Sequence, residues 1–290
     1  MAWTVNYSFT EFFEAINLGD GFRDTANRRR DRIVELLGKD FEIIEAFATG
    51  SIPKSTALKE ADVDVMIVLH YGKHVEGNTP REVLQRVRDS LSERDLATSA
   101  RKNGQAVTLY YKTGPNVDIV PVSRSSIDET GETTHYNVPN MNIGKWIKSK
   151  PKTHAKKIES ISSSCGENFR KIIKMIKWWN SIHGNYLQSY HIEVLAVKVF
   201  NGKGNLDDLP WNISQFFKDA RVLLNDSLWY DIGYVDTYLS STSRTELLSR
   251  FDTAIIKSRN AWYAKYKNND DEEAIGIWKQ IFGSKFPAHG

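Results

Sequence analysis

Acidic residues at the start of an apolar β-strand candidate constrain the fold of this chain more than any other feature. The run Val63 to Leu69 (VDVMIVL) is β-branched and suits a buried strand, and Asp62 and Asp64 lie two residues apart at its start. Alternate side chains of a strand share a face, so both carboxylates point the same way. They repel each other unless a cation lies between them, and a divalent metal is the natural partner.

A third aspartate lies inside a later apolar run. Val117 to Val122 (VDIVPV) places Asp118 among hydrophobic neighbours, where an unpaired carboxylate is costly. If this strand pairs with the first one, Asp118 lies beside Asp64 and completes a three-carboxylate cluster. Hard oxygen donors favour Mg²⁺, for which Mn²⁺ can substitute, so we expect Asp62, Asp64 and Asp118 to bind this metal.

A turn of small residues precedes the aspartates. Thr49, Gly50 and Ser51 follow a strand candidate, and glycine allows the backbone to come close to another group. The backbone amides and the Ser51 hydroxyl suit a triphosphate. A Gly-Ser pair alone carries no information, and an isolated Asp-x-Asp is most often a surface turn. Together with Thr56 and the three aspartates, however, the turn predicts a site for a metal-bound nucleotide.

Turn residues and periodicity predict an α+β first half. Thr79, Pro80 and Glu82 have the pattern of a capping box. The predicted elements are helices over Thr25–Leu37 and Pro80–Leu91, and strands over Phe41–Ala48, Val63–Leu69, Ala106–Tyr111 and Val117–Val122, the last two joined by a hairpin turn at Lys112–Asn116.

After Pro139 the strand signals fade and the pattern becomes helical. Apolar residues at helical spacing predict helices around Phe169–Ile176, Ile192–Val199, Asn212–Leu224, Thr242–Tyr263 and Glu272–Phe282, the last ended by Gly283. The polar stretch 125–140 suggests a boundary. We therefore predict a catalytic core over residues 1–140 and a mainly helical domain over residues 141–290, with residues 1–40 able to pack against the helical half.

Composition excludes several classes of protein. The 290 residues contain no apolar run of 18, and the first residues lack the basic and apolar regions of a secretory signal, so we expect a cytoplasmic protein without a membrane span. A single cysteine, Cys165, excludes an internal disulfide and a cysteine metal site.

Positive charge is concentrated between Lys145 and Lys177, where ten Lys or Arg residues stand against two Glu. Lys171, Lys174 and Lys177 recur every three residues on the side away from the isoleucines. A solvated helix face explains this spacing as well as an anion site does.

The ordered set of Gly-Ser, Asp-x-Asp and distal Asp resembles the nucleotidyltransferase superfamily with a polymerase-beta-like palm. More narrowly, the chain resembles the bacterial relatives of cyclic GMP-AMP synthase, the CD-NTases. The narrower resemblance rests on the segments GSIPKSTALKEADVDVMIVL from Gly50, VDIVPV from Val117, WIKSKP from Trp146, and FRKIIKMIKWWN followed by SYHIEVLA, within about residues 50 to 200.

The resemblance implies an α+β fold in which a mixed sheet flanked by helices is joined to a C-terminal helical domain. Asp62, Asp64 and Asp118 would be the catalytic residues and hold two Mg²⁺ ions, and Asp118 is also a candidate to receive the hydroxyl proton. Gly50, Ser51 and Thr56 would bind nucleotide.

The resemblance extends to the helical half. Lys177 and Ser189 match positions that contact the triphosphate, Lys174 lies one turn earlier and would assist, and Tyr190 matches an aromatic that stacks on a base. We expect His191 and Glu193 to be structural, because a helical histidine beside an acidic residue is more often a satisfied hydrogen-bonding pair than a ligand.

The implied activity is Mg²⁺-dependent synthesis of a cyclic di- or trinucleotide from NTPs, with pyrophosphate released, in bacterial antiphage signalling through a downstream effector. Linear nucleotide addition to RNA and a catalytically silent nucleotide- or RNA-binding module remain alternatives. One cysteine and seven histidines cannot reproduce the zinc module of the animal sensor, so activation by double-stranded DNA is not implied. Base choice, linkage, ring size and oligomeric state do not follow from the sequence.

Overall fold

A computed structural model describes residues 3–19, 21–94 and 99–288 of the chain. It divides into two compact units, Leu18–Lys156 and Met1–Asn17 with Lys157–Gly290. The predicted functional domains, 1–140 and 141–290, stay a prediction. In the described part of the chain, no helix combines the length and the apolar character needed to cross a membrane.

Helices and strands follow one another in the order that the α+β prediction requires. The helices are α1 Val5–Ile16, α2 Gly21–Leu37, α3 Pro80–Ser92, α4 Pro151–Cys165, α5 Asn168–Ile182, α6 Ser189–Phe200, α7 Leu209–Leu223, α8 Ser241–Lys267 and α9 Asp271–Phe282. The strands are β1 Ile43–Thr49, β2 Val63–Leu69, β3 Ser99–Asn103, β4 Ala106–Tyr110, β5 Val117–Ile127, β6 Thr133–Asn140, β7 Lys145–Ser149, β8 Trp229–Tyr230 and β9 Gly233–Tyr234. A π-helical turn spans Tyr71–Val75 and a 3₁₀ turn spans Gly283–Lys285.

The unit Leu18–Lys156 is built on a mixed sheet, as predicted. Strands lie in the order β1-β2-β5-β4-β3, and β6 and β7 extend the sheet from β5. β2 and β5 are parallel, and the other pairs are antiparallel. Helices α2 and α3 pack on one face, which carries Val65 and Ile67 of β2. Because side chains alternate, Asp64 shares the opposite face with Met66 and Val68.

Local sequence signals predicted several elements of this unit closely. The bounds of β2 are those predicted, and α2 ends at Leu37 before Gly38. Thr79 and Glu82 form both hydrogen bonds of the capping box that starts α3. β4 and β5 pair antiparallel as the predicted hairpin. These elements depend on caps, turns and apolar runs that lie within the segment itself.

The expectation that strands end before the polar stretch 125–140 and that helical structure follows Pro139 is wrong. β5 continues to Ile127, β6 covers Thr133–Asn140, and β7 follows at Lys145–Ser149. The polar residues of these strands find partners across the sheet, and Asn137 donates to the Ser123 hydroxyl at 3.2 Å. Such non-local pairing leaves only a weak apolar signal in the sequence, here the buried Tyr136 and Val138.

In the helical unit, the buried helix α5 lies at the centre of an aromatic core. Trp179 contacts Phe217 of α7 and Phe251 of α8, with 5.0 Å between ring centroids in each pair. The unpredicted helix α1 belongs to this unit, because Phe12 packs 4.7 Å from the Phe282 ring. The described residues 3–17 therefore join the helical unit, whereas α2 belongs to the sheet unit.

Candidate active site

Two of the predicted aspartates lie side by side on parallel strands. The register pairs Asp64 of β2 with Asp118 of β5, on the sheet face opposite α2 and α3. Asp62 comes just before β2 and is exposed. The predicted pairing of Asp118 beside Asp64 is therefore confirmed, and it gathers carboxylate oxygens at the start of two neighbouring strands.

Asp118 occupies a half-buried position on β5. Burial raises the pKa of its carboxyl, the hydrogen bond from Thr108 lowers it, and the negative charge of Asp62 raises it further. Thr108 Oγ1 donates to Asp118 Oδ1 at 2.5 Å from the facing position on β4. Thr108 is a site residue that sequence reasoning missed, although a threonine within the run AVTLYY, opposite Asp118 in the hairpin, was a usable signal.

Gly50 is the residue at which the backbone comes closest to the acidic site. Its φ is +69°, a left-handed conformation that favours glycine, and a Cβ atom built there would lie 1.8 Å from Asp64 Oδ2. Thr49 faces Asp64 in the β1–β2 register, which brings the turn to the carboxylate. The expected close approach is confirmed, and the group approached is Asp64.

The loop after Gly50 is closed by Thr56. The buried Thr56 donates its N–H to the Ser51 carbonyl oxygen at 2.9 Å, and its hydroxyl donates to the same oxygen at 3.3 Å. Ser55 adopts a positive φ of 56° at this closure. The structure thus gives Thr56 a role in shaping the Ser51 loop, while nucleotide contacts by Gly50, Ser51 and Thr56 stay predictions.

The chemistry of the aspartate cluster fits a hard divalent cation. Its donors are carboxylate oxygens, and Asp118 experiences the charge of Asp62, which a cation would offset. In the described ranges, no group of three or more histidine, cysteine or acidic side chains is arranged so that it could hold a metal ion. The metal set Asp62, Asp64 and Asp118 therefore stays a prediction, resting on donor type and on the Asp64–Asp118 register.

Two of the basic residues of α5, Lys174 and Lys177, do not lie on a solvated face. The Lys174 side chain is 8% exposed, and its Nζ donates to Asn17 Oδ1 at 2.6 Å. Lys177 is 5% exposed and forms an ion pair with Glu193 Oε1 of α6 at 2.8 Å. The solvated-face alternative is therefore wrong for these two lysines, because both ammonium groups are buried against oxygen acceptors. Triphosphate contacts by either lysine stay predictions.

Helix α6 presents the remaining predicted residues at its first turn. Ser189 and Tyr190 are both exposed, with Tyr190 at 41%. The Tyr190 ring packs edge to face on Tyr230, with centroids 6.2 Å apart. His191 and Glu193, expected to be structural, are both buried, and the polar partner of His191 Nδ1 is the hydroxyl of Tyr238 at 2.9 Å.

The predicted site residues fall into two groups by unit. Asp62, Asp64, Asp118 and the Gly50–Thr56 loop belong to Leu18–Lys156, and the structure brings these together. Lys174, Lys177, Ser189 and Tyr190 belong to the helical unit, where the Lys177–Glu193 pair joins α5 to α6.

The sequence of the chain matches a known domain family. Residues 3–161, more than half of the chain, match the Second Messenger Oligonucleotide or Dinucleotide Synthetase (SMODS) domain. The chain belongs to the SMODS family. It is a bacterial CD-NTase and a nucleotidyltransferase, and the aspartate-bearing strands β2 and β5 lie within the SMODS match.

Individual relatives agree with the SMODS assignment. A Bacillus cereus protein named as a probable cyclic nucleotide synthase is 23% identical over 332 aligned positions, covering 100% of this chain and 99% of the relative. The cyclic AMP-AMP-AMP synthase of an Acinetobacter species is 20% identical, with 84% of this chain and 73% of the relative covered. CdnC of E. coli, in a structure with ATP, shares the fold with a TM-score of 0.79 at 19% identity, over 97% of this chain and 98% of that one.

Replacing Gly50 by Ala should disable the acidic site. The added Cβ would overlap the Asp64 carboxylate, so the loop or the aspartate must move, and we expect nucleotidyl transfer to fall at least about tenfold. Gly131→Ala is the matched control, because Gly131 also has a positive φ of 85° but no atom within 4 Å of the new Cβ. Equal losses of activity in the two variants would show that the contact with Asp64 is unimportant.

Replacing both members of the Lys177–Glu193 pair should separate stability from nucleotide binding. Lys177→Met alone removes the ammonium group that pairs with the buried Glu193 carboxylate and should lower the free energy of unfolding by about 3–5 kcal/mol in urea denaturation. Lys177→Met combined with Glu193→Met should recover most of that loss.

The double variant then tests the predicted triphosphate contact of Lys177. Binding of a non-hydrolysable NTP analogue should weaken about tenfold or more in the refolded, stable double variant. Unchanged affinity would mean that Lys177 serves α5–α6 packing alone.

Proposed function

We propose that this SMODS protein joins NTPs into a cyclic oligonucleotide, di- or trinucleotide in size, in a Mg²⁺-dependent reaction. The observation that carries the proposal is the pairing of Asp64 with Asp118, next to a glycine turn that leaves no room for a side chain at Gly50. The names of the relatives, a probable cyclic nucleotide synthase and a cyclic AMP-AMP-AMP synthase, support cyclisation of the product.

In each proposed step, a sugar hydroxyl oxygen forms a bond to the α-phosphorus of an NTP. The bond from the α-phosphorus to the oxygen that bridges it to the β-phosphate breaks, and pyrophosphate leaves with the electron pair of that bond. Asp118 takes the hydroxyl proton in this scheme, because its carboxylate lies beside Asp64 on the neighbouring strand, where the attacking oxygen would bind. A closing step of the same kind, within one linear intermediate, gives the ring.

Mg²⁺ held by Asp62, Asp64 and Asp118 would lower the charge on the phosphates and on the attacking oxygen. The residues of the chain position the carboxylates and the phosphate-binding turn. The Thr108 hydroxyl keeps Asp118 Oδ1 in place, and Gly50 keeps the turn against Asp64. Ser51 presents its hydroxyl and backbone from the loop that Thr56 closes, where a triphosphate would bind.

We also propose that ATP or another NTP binds with help from Lys174, Lys177, Ser189 and Tyr190, and that a separate effector protein reads the product. The resemblance to the CD-NTases supports an antiphage signalling role in the cytoplasm. The chain gives no basis for activation by double-stranded DNA, since its single cysteine, Cys165, is buried.

Removing the carboxylates of Asp62 and Asp64 tests the proposal directly. Purified protein is incubated with all four labelled NTPs and Mg²⁺ or Mn²⁺, treated with phosphatase, and the surviving product is identified by mass spectrometry. We expect a phosphatase-resistant ring from the wild type, and a loss of at least about a thousandfold for Asp62→Asn combined with Asp64→Asn, because both negative charges are lost. Asp24→Asn with Asp31→Asn, on the exposed side of α2, makes the same charge change as a control.

The products also decide between the alternatives. Activity that survives in the double aspartate variant contradicts the proposed site. Linear products that lengthen an added RNA primer indicate a tailing enzyme instead. Tight NTP binding that needs no metal, without pyrophosphate release, indicates a silent binding module.

A further inference from the structure

One segment of the helical unit approaches the first turn of α6 through two tyrosines. Residues 225–240, here called the tyrosine segment, include the short hairpin β8–β9 and end just before α8. Tyr230 of β8 meets the Tyr190 ring edge to face. Tyr238 lies beyond the hairpin and reaches the backbone at the start of the same helix.

The hydroxyl of Tyr238 links the cap of α6 to a buried histidine. The Gln188 N–H donates to the Tyr238 hydroxyl oxygen at 2.9 Å, and Gln188 is the N-cap residue of α6. The same oxygen lies 2.9 Å from His191 Nδ1. Because the oxygen accepts from Gln188, its own proton is placed to donate to His191, which then keeps its ring proton on Nε2.

His191 is well suited to receive that proton. It is 1% exposed, and burial lowers its pKa to about 4, so its ring is neutral and Nδ1 can act as an acceptor. In the described part of the chain, its buried Nε2 has no hydrogen-bond partner. Among the described residues, the Tyr238 hydroxyl is therefore the one hydrogen-bond partner shown for this ring. The hydroxyl in turn is held between the Gln188 N–H and His191 Nδ1.

The tyrosine segment is itself held firmly. The buried Asp236 accepts a hydrogen bond from the Leu228 N–H at 3.2 Å and forms an ion pair with Arg244 of α8. Arg244 also donates to the Leu224 carbonyl oxygen at 2.8 Å. These contacts hold Asp236, two residues before Tyr238, against α8, and they hold the C-cap of α7 against the same arginine.

We propose that Tyr238 is a positioning residue for the nucleotide site, holding Ser189 and Tyr190 in their binding orientation through Gln188 and His191. The inference rests on the proposed function, because Ser189 and Tyr190 matter only if they contact a nucleotide. Tyr238 does not touch the substrate in this scheme. It sets the direction of the first turn of α6, from which both side chains project.

Tyr238→Phe removes the hydroxyl and keeps the ring. The probe is the α,β-methylene analogue of whichever NTP the wild type uses, titrated by calorimetry, with steady-state kinetics on that NTP. We expect its Kd and the KM to rise about five- to twentyfold, with kcat changed less than about threefold. Tyr234→Phe is the matched control, because Tyr234 is an exposed tyrosine of the same segment that contacts Trp229. This variant should bind the analogue like wild type.

Two further measurements separate positioning from bulk stability. The ¹⁵N spectrum of the His191 ring should show the Nε2–H tautomer in the wild type, and a mixture of tautomers in Tyr238→Phe. His191→Asn keeps an acceptor near the Nδ1 position and should bind the analogue within about threefold of wild type, whereas His191→Leu should weaken binding as Tyr238→Phe does.

Each outcome bears on the proposal. If the Tyr238→Phe protein has a lowered Tm but an unchanged Kd and KM, the proposal is overturned. If Tyr238→Phe fails to fold, equal binding of the analogue by His191→Asn and His191→Leu overturns the proposal instead. A wild type that binds no NTP analogue instead contradicts the proposed function, so the two failures are distinguishable.

Discussion

The parallel pairing of β2 with β5 is the constraint on which the acidic site depends. Parallel neighbours cannot be joined by a tight turn, so the chain between them must cross over and return. Here the crossover contains the π-helical turn, α3, β3 and β4, and it covers one face of the sheet with α3. A shift of one residue in this register would move Asp118 to the α2 and α3 side and would bury its charge among Val65 and Ile67.

Local signals predicted the parts of the fold that are decided locally. The Thr79 capping box, the apolar run of β2 and the Gly283 helix end depend on residues within a few positions of one another. β6 depends on β5 and β7 for its hydrogen bonds, and its polar residues hide the strand from a search for apolar runs. Helix α1 was not predicted from the sequence, although Thr4 caps it.

The candidate site shows the same division. Asp64, Asp118 and Gly50 could be placed from strand alternation and turn chemistry, because their geometry follows from the backbone of the strands that carry them. The surroundings of Lys174 and Lys177 could not, since helical spacing does not reveal whether a lysine faces water or a buried acceptor. Asn17 lies 157 positions from Lys174, and Glu193 belongs to another helix. Thr108 is intermediate between these two groups. Its hydrogen bond to Asp118 follows from the register of the hairpin, which the residues around Thr108 do not determine alone.

Buried polar contacts in the helical unit converge on one short stretch around the start of α6. Asn180 of α5 accepts the Leu187 N–H at 2.9 Å and donates to the Leu187 carbonyl oxygen at 2.8 Å, one residue before the Gln188 cap. Lys177 forms an ion pair with Glu193, one turn into the helix. The Tyr238 hydroxyl forms hydrogen bonds with both Gln188 and His191. Most other residues of α6 are apolar, and hydrophobic contacts alone have little directional preference. Hydrogen bonds and ion pairs are directional, so these three contacts select one rotation and thereby fix where Ser189 and Tyr190 project.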